Sequence, residues 1–224
     1  MIFANLDVEF SPNINVISGE NSTGKTALIK LLYSVLKGFA EACTVKGDLT
    51  KDKLETALVD KLQGVFRPDN NAVGKSQTRK FEMGLVSEGY RKIATIMYLI
   101  LSGSLSKNAV LFWDEPETNM NPKMIRPLVD AIIELAKMGV QVFVTTHDYF
   151  VQQCFNMAAM YPSLPKKGEN AIKYNFLSLY KEEDCLQYEQ KEYLSDLTHN
   201  AVMEEFDSLY DRKQELILLL NQKK

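Results

Sequence analysis

Gly19-Glu20-Asn21-Ser22-Thr23-Gly24-Lys25-Thr26 decides how this chain is read. It satisfies G-x-x-x-x-G-K-[ST] at every constrained position, and its flanks give the match structural sense. Ahead of it, Ile14-Asn15-Val16-Ile17-Ser18 is a short β-branched strand. Behind it, Lys25 to Phe39 has helical periodicity, with Leu28, Leu31, Leu32, Val35, Leu36 and Phe39 on a wide apolar face. Glycine at 19 and 24 lets the backbone turn so that the N–H groups of Glu20, Asn21, Ser22 and Thr23 point inward. The helix N-terminus adds partial positive charge, and the result is a cradle for phosphates. Lys25 would reach the β- and γ-phosphates, and the Thr26 hydroxyl would ligate Mg²⁺.

Three further segments follow in a fixed order. Val110-Leu111-Phe112-Trp113-Asp114-Glu115 is an apolar strand that ends in two acids. A carboxylate at that point has no packing purpose, but Asp114 can hold Mg²⁺ there, and Glu115 can orient and deprotonate an attacking water. Phe143-Val144-Thr145-Thr146-His147-Asp148 is a second apolar strand with His147 at its end, where an imidazole can hydrogen-bond a γ-phosphate. Val86-Ser87-Glu88-Gly89 opens a helix through Ile93, Ile96, Met97, Ile100 and Leu101. Ser87 is a good N-cap, and the same helix terminus can bind phosphate. Alone, a cap for Ser87 and a structural role for His147 would suffice; the order of the segments favours phosphate chemistry. Trp113 reads as core and His199 as a surface residue of a polar helix.

Elsewhere, Ile2 to Phe10 alternates apolar and polar residues like a half-exposed strand, and Ser11-Pro12-Asn13 is a turn. Thr50 caps a helix to about Gln63, with Leu54, Leu58 and Leu62 as its stripe. Arg67 to Lys80 is a loop. Pro122 opens a helix, Val140 to Thr145 is a strand, and a helix after His147 runs to about Met160. Pro162 to Asn170 is a loop, and Ile172 to Tyr180 with Cys185 to Gln190 forms an antiparallel hairpin. A last helix runs from Ser195 to about Leu220. Its Leu216-Ile217-Leu218-Leu219-Leu220 run is too continuous for one face, with core packing the default reading and partner contact the alternative. The alternation of strands and helices implies an α/β fold with a central, mostly parallel sheet, flanking helices and an antiparallel β segment.

A length of 224 residues suits one domain, and an apolar fraction of 46% suffices for its core. The net charge of −3 does not argue for nucleic acid, although Arg67, Lys75, Arg79 and Lys80 could form a local basic patch. Cys43, Cys154 and Cys185 are odd in number and scattered, as expected of reduced thiols in the cytoplasm. Met1 leads into a strand-like segment rather than an export signal, and no apolar run is long enough to span a membrane. With two histidines and distant cysteines, a soft-metal site is not expected, and any metal should be a hard cation such as Mg²⁺.

At these positions the chain resembles the ABC-type ATPases, in the branch that includes SMC, RecF and OLD-like proteins. Gly19 to Thr26 looks like their Walker A loop, Val86 to Gly89 like the signature motif, and Val110 to Glu115 like Walker B. Asp114-Glu115-Pro116-Glu117, followed by Asn119 and Pro122, is similar to the DEPE-x-N-x-x-P form of that branch. Asn121 would occupy the D-loop position and His147 that of the switch histidine. The resemblance implies a P-loop NTPase fold with an ABC-ATPase-like head, residues 1–224 forming a single head domain.

It also implies an ATP-dependent homodimer with two heads face to face around two ATP molecules. Lys25, Thr26, Asp114, Glu115 and His147 would act in cis, while Ser87 and Gly89 would reach the γ-phosphate bound by the partner. Two departures stand out. Lys25 to Ser87 spans only 62 positions (87 − 25), so an insertion is reduced to the loop at 67–80, and the Q-loop glutamine has only Gln63 and Gln77 as candidates. The leading expectation is an ATP-hydrolysing head that gates an effector protein in DNA maintenance or anti-phage defence. A low-turnover ATP-binding switch or regulatory subunit, and a direct nucleic-acid-binding module, are the alternatives. No appended nuclease-like domain of the OLD kind is expected.

Overall fold

In the computed structural model, which describes residues 7–42, 88–162, 171–182 and 185–222, Ile14–Gly19 (β1) forms the middle of a five-stranded sheet. Val110–Asp114 (β2), Gln141–Thr145 (β3), Tyr174–Glu182 (β4) and Cys185–Lys191 (β5) complete it in the order β2-β3-β1-β4-β5. β2, β3, β1 and β4 are mutually parallel, and β5 closes antiparallel on β4. The expected fold class and hairpin are therefore present. The helices are Lys25–Ala42 (α1), Glu88–Leu101 (α2), Pro122–Lys137 (α3), Tyr149–Met160 (α4) and Ala201–Gln222 (α5). None of them is long and apolar enough to cross a membrane, among the described residues.

Strand alternation divides the core between the two faces of the sheet. Ile14 and Val16 of β1, Val142 and Val144 of β3, and Phe176 of β4 point into the larger cluster, with Ile93, Leu128, Ile132 and Phe155 from α2, α3 and α4. Ile17, Phe143, Leu177 and Leu179 point to the other face, where Leu28 and Ile29 of α1 cover them. A period of two with apolar residues on both faces marks the buried strands of a parallel sheet. Asn15 and Ser18 are the buried polar residues of β1. Asn15 bonds the turn that precedes the strand. It is fully buried, accepts from Ser11 N at 2.7 Å and donates to Ser11 O at 2.9 Å, which holds the preceding turn against the sheet.

Several expectations are corrected. Asp7 to Phe10 is not a strand. Its carbonyls instead accept from side chains, Tyr188 Oη on Asp7 O and Gln190 Nε2 on Glu9 O. The anticipated face of α1 is only partly used, because Leu28 and Leu32 pack on the smaller cluster while Leu31, Val35 and Leu36 are exposed. Trp113 is half-buried rather than fully in the core, since β2 is the outermost strand of the described sheet.

α5 begins at Ala201, not Ser195. Leu194–Asp196 makes a 3₁₀ turn, and Asn200 is the cap, its Oδ1 accepting from Val202 N while Glu204 Oε1 accepts from Asn200 N. His199 therefore precedes the helix, exposed and stacked on Tyr180. Leu216 to Leu220 is exposed throughout, against the core reading. Ile2 to Leu6, Cys43, the helix from Thr50, Gln63, Arg67 to Lys80 with Gln77, and Ser87 lie outside the described residues, as do residues 163–170 of the expected loop from Pro162 to Asn170.

Candidate active site

The strand order brings the carboxyl ends of β2, β3 and β1 side by side, and each carries one of the sequence motifs. β1 runs into the glycine loop, which feeds the N-terminus of α1. Gly19 has φ 146° and lies so close to β4 that a Cβ there would sit 2.2 Å from Leu179 O. Only glycine fits that approach. Ser22 (φ 65°) and Gly24 (φ 85°) take left-handed conformations, and Thr23 Oγ1 donates to Glu20 O at 2.8 Å. Alternation of hand along such a loop turns successive N–H groups to one side, which is the concavity an anion needs.

Lys25 opens α1, and its side chain folds back into the loop. Nζ donates to Gly19 O at 2.9 Å and to Glu20 O at 2.8 Å. Burial lowers the pKa of this ammonium, and the carboxylates of Glu115 and Asp114 oppose the shift. The next residue, Thr26, donates from Oγ1 to Asp114 Oδ2 at 2.8 Å. A hydroxyl and a carboxylate oxygen thus adjoin at the phosphate loop, and such hard oxygen donors suit Mg²⁺. Among the described residues no larger group of acidic, histidine or cysteine ligands surrounds them, so phosphate oxygens and water would supply the remaining coordination.

Asp114 is held from β3. Parallel register sets it beside Thr145, whose hydroxyl donates to Asp114 Oδ1. Glu115 then turns out of the sheet with φ 48°, an uncommon conformation for a non-glycine residue. Its N–H is fixed by Thr145 O at 3.0 Å. The side chain meets the segment Thr146-His147-Asp148 after β3 (the expected switch segment), with Glu115 Oε1 3.1 Å from His147 Nδ1, and both side chains remain accessible to solvent. Lys25, Thr26, Asp114, Glu115 and His147 therefore form one connected site.

The other expected residues divide. Gly89 lies in the first turn of α2, where a Cβ would come within 3.3 Å of Met120 Cγ, so the helix start packs on the turn after Glu115. Asn121 caps α3, its Oδ1 accepting from Lys123 N at 3.0 Å. Neither is drawn into the Lys25–His147 cluster by a hydrogen bond of its own chain. Three residues emerge only in the folded chain. Thr145 orients both Asp114 and the Glu115 backbone. Glu117 is buried and accepts from Thr146 Oγ1 at 2.6 Å, tying the turn after β2 to the switch segment. Lys92 of α2 donates to Pro116 O at 3.0 Å and Thr118 O at 2.7 Å. The Thr-Thr pair and the third acid of DEPE were visible signals for the first two, whereas nothing in the sequence distinguished Lys92.

A phosphate cradle, a buried lysine and a Thr–Asp pair at adjacent strand ends have the layout of a P-loop phosphate site. Residues 47–151 match the family described as "AAA domain, putative AbiEii toxin, Type IV TA system", a stretch that contains Gly89, Asp114, Glu115 and His147 but starts after Lys25. The chain is 29% identical over 169 residues to ATP-binding cassette sub-family A member 2 of Homo sapiens, which covers 61% of this chain and 7% of that protein. It is 23% identical over 178 residues to the "Putative ABC transporter ATP-binding protein" of Pyrococcus horikoshii, covering 66% of this chain and 68% of the relative. The chain thus spans only a small part of the human relative's length.

Among solved structures, it is similar to cbiO1 from Clostridium perfringens, part of the ABC transporter complex cbiONQ, at 14% identity and TM-score 0.45, over 92% of this chain and 88% of that one. The Smc head bound to the C-winged helix domain of ScpA matches at 9% identity and TM-score 0.39, over 53% of this chain and 30% of that one. In motif order and in these matches, the chain is similar to ABC-type ATP-binding proteins.

Proposed function

We propose that this head domain binds ATP with Mg²⁺, hydrolyses it, and associates head to head through the bound nucleotide, so that turnover drives or gates a partner protein. The observation that carries the proposal is the convergence of Lys25, Asp114, Glu115 and His147 at three adjacent strand ends. Thr26 and Asp114 would hold Mg²⁺, which when bound neutralises charge on the phosphates. Lys25 offsets the charge that develops on the transferring phosphoryl group.

Glu115 accepts a proton from water as the water oxygen bonds to the γ-phosphorus. The bond from that phosphorus to the β–γ bridging oxygen breaks, and ADP and phosphate are released. His147 steadies the Glu115 carboxylate through Nδ1, leaving its other ring nitrogen to address the γ-phosphate. Ser87, Gly89 and Asn121 would act across the interface on nucleotide bound by the second head. The family description, "AAA domain, putative AbiEii toxin, Type IV TA system", favours a defence setting over the transport for which the Pyrococcus horikoshii relative is named. DNA maintenance is the other expected setting.

The test combines ATP turnover with light scattering, with and without ATP–Mg²⁺. Glu115→Gln should lower turnover by about a hundredfold or more while ATP binding persists and the ATP-bound dimer lives longer. Unchanged turnover would remove Glu115 as the base. ATP binding that neither adds dimer nor slows subunit exchange in the Glu115→Gln chain would remove the head-to-head step.

A further inference from the structure

The C-terminal helix α5 has an anchored base and an uncovered shaft. At the base, Asn200 Nδ2 donates to Gln152 Oε1 at 2.8 Å, and Phe206 stacks on Tyr149 with ring centroids 3.9 Å apart. From Glu204 to Asn221 every residue is exposed, including Leu218 at 61% and Leu220 at 66%. The last four turns therefore extend roughly 20 Å past Leu209 at about 1.5 Å per residue. A single helix of this length is marginal in water without something packed against it.

The spacing of its apolar residues specifies a helical partner. Val202, Phe206, Leu209, Lys213, Leu216 and Leu220 recur at intervals of 4, 3, 4, 3 and 4, the heptad seam of a coiled coil with one polar position. Charge selects the partner and its direction. Residues 201–211 contain Glu204, Glu205, Asp207 and Asp211 with no base, whereas Arg212 and Lys213 open the second half. Two copies side by side in parallel would set acidic half against acidic half. Antiparallel, with Leu216 opposite the partner's Phe206, Lys213 meets the partner's Leu209, and its ammonium reaches toward the partner's Asp207 and Asp211.

The five-residue apolar block explains itself in the same arrangement. Consecutive residues at about 100° steps encircle a helix, so Leu216 to Leu220 is wider than one seam. Antiparallel pairing carries that block to the base of the partner's helix, where Phe150 (53% exposed) and Phe206 (44%) flank Tyr149. One chain thus bears both the apolar block and, at the base of the same helix, the apolar patch that would receive it. This self-complementarity is what a closed two-fold interface requires. We infer that α5 is a dimerisation element that packs antiparallel against α5 of a second copy of the chain, independently of nucleotide.

The test is light scattering of the nucleotide-free protein across a concentration series. A dimer is expected, and Lys25→Ala should retain it. A monomer at all concentrations up to about 100 μM would overturn the inference. Leu216→Glu with Leu220→Glu should weaken the dimer by at least about tenfold, with circular dichroism and ATP binding retained as evidence of folding. An unweakened dimer would show that another surface holds it. Arg212→Glu with Lys213→Glu, and separately Asp207→Lys with Asp211→Lys, should each lose dimer, and mixing the two variants should restore it. Failure of the mixture to pair would overturn the antiparallel arrangement.

Discussion

At the scale of single residues, the most consequential contact outside the motif chemistry is Glu117. Its side chain is 8% exposed, Oε1 accepts from Thr146 Oγ1, and Oε2 has no hydrogen-bond partner among the described residues. Burial raises the carboxyl pKa, and the Thr146 hydrogen bond opposes the rise. A raised folded-state pKa means that folding favours the protonated form. The associated stability is present below the unfolded carboxylate pKa and is lost as pH rises through the folded value. Glu117→Gln, which keeps an acceptor for Thr146, should therefore be more stable than the parent chain at about pH 8. The advantage should shrink toward about pH 4, where Glu117 is protonated. Urea denaturation at both pH values checks this. An advantage that grew on acidification would reverse the assignment. DEPE stands in the sequence as a family pattern, but only the folded chain shows that its third acid, Glu117, reaches Thr146 beyond β3.

At the scale of elements, α4 begins where the switch segment ends. Asp148 caps it, Oδ1 accepting from Val151 N at 2.9 Å. Asp148→Ala should cost about 1 kcal/mol, and for a chain of this size that lowers Tm by about 2–4 °C. Thermal unfolding followed by circular dichroism measures it, and an unchanged Tm would mean that the cap is replaced by solvent. The start of α4 was legible because one polar cap residue follows a strand and precedes an apolar run. The start of α5 was not, because Ser195 and Asn200 are both good caps and the sequence does not rank them. Asn200 prevails because its amide also bonds Gln152 on α4. The apolar face of α1 was overestimated for a related reason. Periodicity reports which residues share a face, while the width of the surface beneath decides how many are covered.

At the scale of the whole molecule, the sheet order makes the site. Chain order separates Lys25, Asp114 and His147, and the β2-β3-β1 arrangement sets their strands edge to edge. A ligand that binds there only in the folded state stabilises the whole domain by mass action. ATP–Mg²⁺ at a hundred times its dissociation constant should add about 2.7 kcal/mol to unfolding, and Lys25→Ala should abolish most of that gain. Calorimetry with and without nucleotide provides the measurement. Equal stabilisation of both proteins would place the nucleotide somewhere other than the glycine loop.

The amino-acid sequence by itself determined the glycine loop, the two acids and the histidine at strand ends, the α/β alternation and the C-terminal hairpin. Each of these depends on local chemistry: a backbone turn that needs glycine, a period of two or 3.6, or a carboxylate out of place on an apolar strand. Tertiary structure alone decided that Thr145 orients Asp114, that Glu117 and Lys92 brace the turn after β2, and that Leu216 to Leu220 remains uncovered. Those outcomes depend on which strands become neighbours and on which surfaces run out of partners. Both are settled by long-range packing, which no local pattern encodes.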